Sequence, residues 1–216
     1  MNKVKEYENE FFKLIKNYKR TNFFDGRLCP DLYVGKISEF DEKDPNSRKH
    51  VFNDTWNVIN IPAGKKIMIM ILESPHKDEF KGKIGPAKGT TGRNLGKMTR
   101  LCDFYLYRNY ELILMNAIPF QCSLGEKPEK FRDEVFANAW NEENQKIRIG
   151  KSFFKERLCS LLKELDGKFV VIVNACTSGG CRKQAVQDVI DEIALDIKRA
   201  EIPHPSSWRI PELKSL

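Results

Sequence analysis

Three stretches of the chain are apolar almost without interruption: Ile67-Met68-Ile69-Met70-Ile71-Leu72, Leu112-Ile113-Leu114-Met115 and Phe169-Val170-Val171-Ile172-Val173. Runs this short and this continuous predict strands buried on both faces, the pattern of a parallel sheet. Strands are expected over Lys66–Glu73, Tyr110–Ile118 and Lys168–Ala175, with a fourth over Ile197–Ile202. Between them apolar residues recur at helical spacing, at about 93–107, 127–147, 150–165 and 181–195. Strand alternating with helix implies βαβ units. The expected fold is α/β: a central four-stranded, mostly parallel sheet with helices on both faces. Upstream, Val4, Tyr7, Phe11, Leu14, Ile15 and Tyr18 predict an amphipathic helix over 3–20. Residues 21–64 are rich in Asp, Asn, Gly and Pro and show no strong period, so they are expected to be irregular and packed on the core. With no repeat and no low-complexity segment, residues 1–216 read as one domain.

Composition narrows the class. The chain has 216 residues, 41% of them hydrophobic and 31% charged, enough for one sizeable core. Its apolar runs are far shorter than the ~20 residues a membrane-spanning helix needs. The opening MNKVKEYENEFFKLIKNYKR mixes acids and bases and lacks the apolar stretch of a signal peptide. A cytoplasmic monomer is the expectation. Six cysteines, at 29, 102, 122, 159, 176 and 181, form no Cys-x-x-Cys pair. Free thiols are therefore expected, with Cys102 and Cys159 buried in helices. Cys176 and Cys181 alone are too few ligands for a zinc site, so no metal is expected. The net charge is +7, from 37 basic and 30 acidic residues. That excess favours a polyanionic partner, although a lysine-rich composition gives the same number.

Ligands of parallel sheets bind beyond the carboxyl ends of the strands. Those ends read Glu73-Ser74-Pro75-His76, Asn116-Ala117-Ile118-Pro119-Phe120, Asn174-Ala175-Cys176-Thr177-Ser178-Gly179-Gly180 and Pro203-His204-Pro205-Ser206. Turn chemistry accounts for Asn, Ser, Pro and Gly there. It does not call for Glu or His. Asn116 and Asn174 also have the simpler use of bonding turn backbone. Ser178-Gly179-Gly180, just before a helix, offers free amides to a phosphate.

These segments, in this order, resemble the uracil-DNA glycosylase superfamily, over roughly residues 65–209. Leu72-Glu73-Ser74-Pro75-His76 is similar to its first motif, in the branch that carries Glu. Gly85-Pro86-Ala87-Lys88-Gly89-Thr90-Thr91-Gly92-Arg93 resembles the glycine-spaced loop that follows. Leu112–Ala117 resembles the strand that ends in Asn, Val170–Gln184 the third strand and its turn, and His204-Pro205-Ser206 the last motif.

The resemblance implies roles. Glu73 would stabilise an oxocarbenium-like sugar and position water. His204, fixed between Pro203 and Pro205, would donate to the departing base. Asn116 would read one edge of an extruded pyrimidine. Ser74, Pro75, His76, Phe120 and Ser206 would complete the base pocket. Lys88, Arg93, Ser178, Trp208 and Arg209 would face DNA, with Trp208 as a wedge into the duplex. Lys65, Lys66, Lys81 and Lys83 also flank the expected cleft as phosphate-tracking or simply solvated bases.

The pattern also departs from the family. Leu72 replaces its opening glycine, and Ala87 stands where its stacking aromatic would be, leaving Phe80 or Phe120 as substitutes. Only Cys29 lies where the iron–sulfur cluster of the Glu-containing branch has its close cysteine pair, so no cluster or other cofactor is expected. Two functions follow. One is a monofunctional DNA glycosylase acting on a deaminated or damaged base, uracil first. The other is a catalytically inactive module of the same fold that binds DNA or nucleotides. A phosphate-binding protein using Ser178–Arg182 is a more distant third.

Overall fold

The computed structural model describes residues 3–16, 18, 24–40, 49–50, 61, 64–101, 107–123, 128–143, 145–178 and 182–208. Its strands are β1 (Leu32–Lys36), β2 (Lys49–His50), β3 (Lys66–Leu72), β4 (Glu111–Asn116), β5 (Phe169–Asn174) and β6 (Lys198–Glu201). Its α-helices are α1 (Lys3–Ile15), α2 (Thr90–Leu101), α3 (Pro128–Asn141), α4 (Lys151–Glu164) and α5 (Arg182–Ile193). The strands form one sheet in the order β2-β1-β4-β3-β5-β6.

The four expected strands are present and mutually parallel, in the order β4-β3-β5-β6. The sheet is nevertheless six-stranded. Residues 21–64 contribute β1, antiparallel to β4, and β2, antiparallel to β1. β1 escapes a reading of sequence pattern because it is short and irregular. Its pairing slips between Tyr33 and Gly35, and Gly35 takes a φ of +96° that only glycine accepts without strain.

Alternation explains why β3 from Ile67 to Leu72 and β4 from Leu112 to Met115 are apolar without a break. Ile67, Ile69, Ile71, Ile113 and Met115 face one core with α1, α3, α4 and α5. Met68, Met70, Leu72, Leu112 and Leu114 face a second core with Leu95 of α2, Ile37 and Phe40. Burying each such side chain stabilises the fold by ~1.5–3 kcal/mol. The α1 face falls as its spacing predicts, with Tyr7, Phe11 and Ile15 buried.

Two readings need correction. Cys159 is exposed, because the buried face of α4 is formed by Phe153, Phe154, Arg157, Leu158 and Leu161. The helix expected to run to 147 ends at Asn141, where Glu142 takes a φ of +59°. The Glu142 carboxylate then accepts hydrogen bonds from the Gly150 and Ser152 amides at the start of α4.

Connectivity locates the crevice. The chain leaves β3 through α2 on one face, and leaves β4 and β5 through helices on the other. Loops that diverge to opposite faces open a gap at the carboxyl end of β3. Register keeps that rim level: Leu72 lies opposite Asn116, Ile71 opposite Asn174, and Asn174 opposite Glu201. Below it a buried ion pair ties three elements together. The Arg157 guanidinium donates to both Asp31 carboxylate oxygens at 2.6 and 2.8 Å, and to the Asn116 and Ala117 carbonyls at 2.6 and 3.0 Å.

Candidate active site

A cleft of about 290 Å³ opens at this rim. Glu73, Ser74, Pro75 and His76 reach it from the end of β3, Ser123 from beyond β4, Thr177 from beyond β5, and His204 and Ser206 from beyond β6. Asp78, Lys88, Thr90 and Thr91 close the remaining side. Thus Glu73 and His204, 131 positions apart by their numbers, share one cavity because the strands that deliver them end at the same level.

His204 is held by more than its prolines. It caps a one-turn 3-10 helix, Pro205–Ser207, and its Nδ1 accepts the Ser206 amide at 3.2 Å. The Ser206 hydroxyl lies 2.7 Å from the same nitrogen. An amide can only donate, so Nδ1 holds the lone pair and the proton of the neutral ring sits on Nε2. The backbone around the ring is tied from several sides. Lys183 of α5 donates to the Ile202 carbonyl at 2.8 Å, the Trp208 indole to the Pro203 carbonyl at 2.9 Å, and Asn94 of α2 to the Pro205 carbonyl at 2.7 Å. A fixed N–H donor is what stabilisation of a departing anion requires.

Glu73 is buried, and its partner comes from α5. Arg182 Nε lies 3.2 Å from Glu73 Oε2, with both side chains about 5% exposed or less. Arg182 also pairs through Nη1 with Asp133 of α3. In the sequence Arg182 stands only as the end of the candidate phosphate-binding turn Ser178–Arg182. Nothing in the local pattern distinguishes it from a surface arginine opening a helix.

His76, also in the cleft lining, repeats the arrangement of His204. It caps the 3-10 helix Lys77–Phe80, with Nδ1 accepting the Asp78 amide at 3.3 Å. Burial outweighs the nearby Asp78 carboxylate and pulls the imidazole below its ordinary range, toward the neutral ring. Beneath it, Glu79 is fully enclosed and organises the loop that carries Lys88. Glu79 Oε1 accepts the Ala87 amide at 2.8 Å, and its backbone carbonyl accepts the Gly85 amide at 3.1 Å.

Enclosure pushes the Glu79 carboxyl up to about 8, against the hydrogen bonds from the Ala87, Lys88 and His76 amides. The folded state therefore keeps a proton that the unfolded chain loses above its ordinary carboxyl range, 4.5 here. This group's contribution to stability is full below that value and is lost as pH rises through about 8. The difference in urea midpoint between wild type and Glu79→Gln should move in favour of the variant from pH 5 to pH 8.5. A constant difference would show that Glu79 does not couple folding to pH.

The other expected site residues are distributed unevenly. Asn116 lies at the end of β4 but is absent from the cleft lining. It is 1% exposed, its amide Nδ2 stands 3.6 Å from Cys29 Sγ, and its Oδ1 has no hydrogen-bond partner among the described residues. Phe120 is fully buried in the first core, stacked on Phe11 at 4.8 Å, away from the cleft. Phe80 is buried against Arg27, and Ala87 sits in the second core with a φ of 57°. Apart from the two imidazoles, no aromatic ring lines the cleft among the described residues.

Lys88 borders the cleft, with its ammonium bonded to the Lys81 and Lys83 carbonyls. Arg93 is exposed on α2 and bonds Thr90 Oγ1 at 2.9 Å. Ser178 is exposed outside the lining, and Trp208 packs half-buried on the second core. Arg209, Cys102, Cys181 and the glycines at 179 and 180 lie outside the described residues.

Among the described residues no group of three or more His, Cys, Asp or Glu side chains is placed to hold a metal ion. No described helix is long and apolar enough to cross a membrane. No family model, curated protein or solved structure matches the chain.

Proposed function

We propose that the protein is a uracil-DNA glycosylase-like enzyme that hydrolyses the N-glycosidic bond of a deaminated or damaged base in DNA, uracil first. The observation that carries this reading is the meeting of Glu73 and His204 in one cleft at the carboxyl rim of parallel strands. In the reaction the C1′–N bond breaks and its electron pair leaves with the base. The His204 Nε2–H hydrogen-bonds the base carbonyl on which that charge collects. Water oriented by Glu73 adds its oxygen to C1′, and the proton it sheds ends on the released base. The cleft volume suits one extruded base, and Lys81, Lys83 and Arg93 are exposed cations close to it in the chain.

A second reading, a module that binds DNA or nucleotides without cleaving them, is favoured by a different observation. The positions expected to stack and read the base, Ala87, Phe120 and Asn116, are all buried outside the cleft lining. One experiment separates the two. Duplex and single-stranded oligonucleotides carrying uracil, hypoxanthine or xanthine are incubated with the protein, and alkali then reveals abasic sites. The glycosylase reading expects strand breaks at one or more of these lesions. Binding to the same oligonucleotides should weaken steeply from 50 to 200 mM salt as phosphate contacts release counterions, by roughly tenfold or more for two or more contacts. Salt-dependent binding with intact bases across the panel would leave the binding module standing.

A further inference from the structure

Two arginines are buried among the described residues, and they are used differently. Arg157 donates four hydrogen bonds, to Asp31 and two backbone carbonyls, and among the described residues only its Nε is left without a partner. Arg182 makes two ion pairs, to Glu73 and Asp133, but its buried Nε and Nη2 make no aligned hydrogen bond among the described residues. Its buried Nη2 has no hydrogen-bond partner there. A buried donor left unmade costs ~1–3 kcal/mol, so a residue kept only for stability is poorly served by this arrangement. The cost is explained if the guanidinium is placed for what it does to Glu73.

We propose that Arg182 is the positioning residue of Glu73, fixing the plane of its carboxylate at the cleft floor so that it orients the attacking water. This rests on the glycosylase reading above. The geometry supports it on three counts. Arg182 opens α5 directly after the β5 turn that brings Thr177 to the same cleft, so it approaches Glu73 from the neighbouring strand. Asp133 holds the far side of the guanidinium, which keeps the arginine from swinging out. The pair is also shielded from water, where a charge-assisted contact at 3.2 Å is not screened away. The pairing has a chemical consequence as well. A carboxylate already matched to a guanidinium presents a weaker field to a cationic sugar, yet keeps lone pairs for a water molecule. Orienting water is therefore the larger part of Glu73's task.

The test is a double-mutant cycle on base release under single-turnover conditions, using the full chain and the lesion that wild type cleaves best. Arg182→Gln should lower the chemical rate about 10–100-fold with little change in KM, since the substrate does not touch Arg182. Arg182→Lys should recover much of that loss by keeping a cation beside Glu73. In the Glu73→Gln background the same Arg182→Gln change should have almost no further effect, because the group through which it acts is gone. An equal loss in both backgrounds, or a loss matched by a lowered melting temperature and not rescued by lysine, would show that Arg182 only holds the fold. If Arg182→Gln itself does not fold, Asp133→Asn, which weakens the hold on the far side of the guanidinium, takes its place in the same cycle with Glu73→Gln. Wild type inactive on every lesion sinks the glycosylase reading and the role of Arg182 with it. Activity with additive losses sinks the role of Arg182 alone.

Discussion

His204→Ala is expected to lower base release by ~10²–10³-fold while leaving binding to intact DNA nearly unchanged. The His204 Nδ1 accepts the Ser206 amide at 3.2 Å, so the ring donates through Nε2. Removing it leaves Glu73, Arg182 and the exposed lysines in place, and phosphate contacts rather than base contacts dominate affinity. Single-turnover kinetics and fluorescence anisotropy on the same oligonucleotide separate the two effects. Ser206→Ala offers a finer control. It removes the hydroxyl but keeps the amide that sets the tautomer, so it should cost far less than His204→Ala. A His204→Ala protein with full activity would mean that the base leaves without this donor, and that the proline-flanked turn is structural.

The largest effect on stability should come from Arg157→Met, a loss of ~3–5 kcal/mol read as a lower urea midpoint. The substitution strands the Asp31 carboxylate, which is 3% exposed, and also removes the donors to the Asn116 and Ala117 carbonyls at the end of β4. Burial already pushes Asp31 upward against the pull of Arg157, so without that partner the carboxyl should take up a proton on folding. Combining Arg157→Met with Asp31→Leu should restore much of the loss, because a buried apolar pair costs less than one buried unpaired charge. A single variant within 1 kcal/mol of wild type, roughly the size of an ordinary surface change, would show that the rim does not depend on this clamp.

The three central strands were legible because each is covered on both faces, and continuous apolar character is the direct imprint of that burial. β1 was not, since an antiparallel neighbour of β4 with a bulge at Gly35 leaves neither a run nor a clean alternation. The ends of β3 and β6 were legible as candidate positions because Glu and His have no local reason to follow a strand. The partners that aim them were not. Arg182, Asn94 and Lys183 are ordinary helix residues in sequence, and only the packing of α5 and α2 against the rim brings them to Glu73 and to the His204 turn. Phe120 shows the converse limit. An aromatic just past a strand end has two faces to choose from, and this one turns into the core against Phe11.

The strand that delivers His204 stands at an edge of the sheet. β6 is four residues long, pairs among the described residues with β5 alone, and is largely exposed along its length. Its charged residues discourage a second sheet from adding at that edge. They also give it little apolar area to resist opening, so its local unfolding costs much less free energy than global melting. On the glycosylase reading, catalysis and folding are therefore expected to have separate thermal limits: warming should detach His204 while β3, β4 and β5 still hold Glu73 in place, and cooling should rebuild the site without refolding the chain.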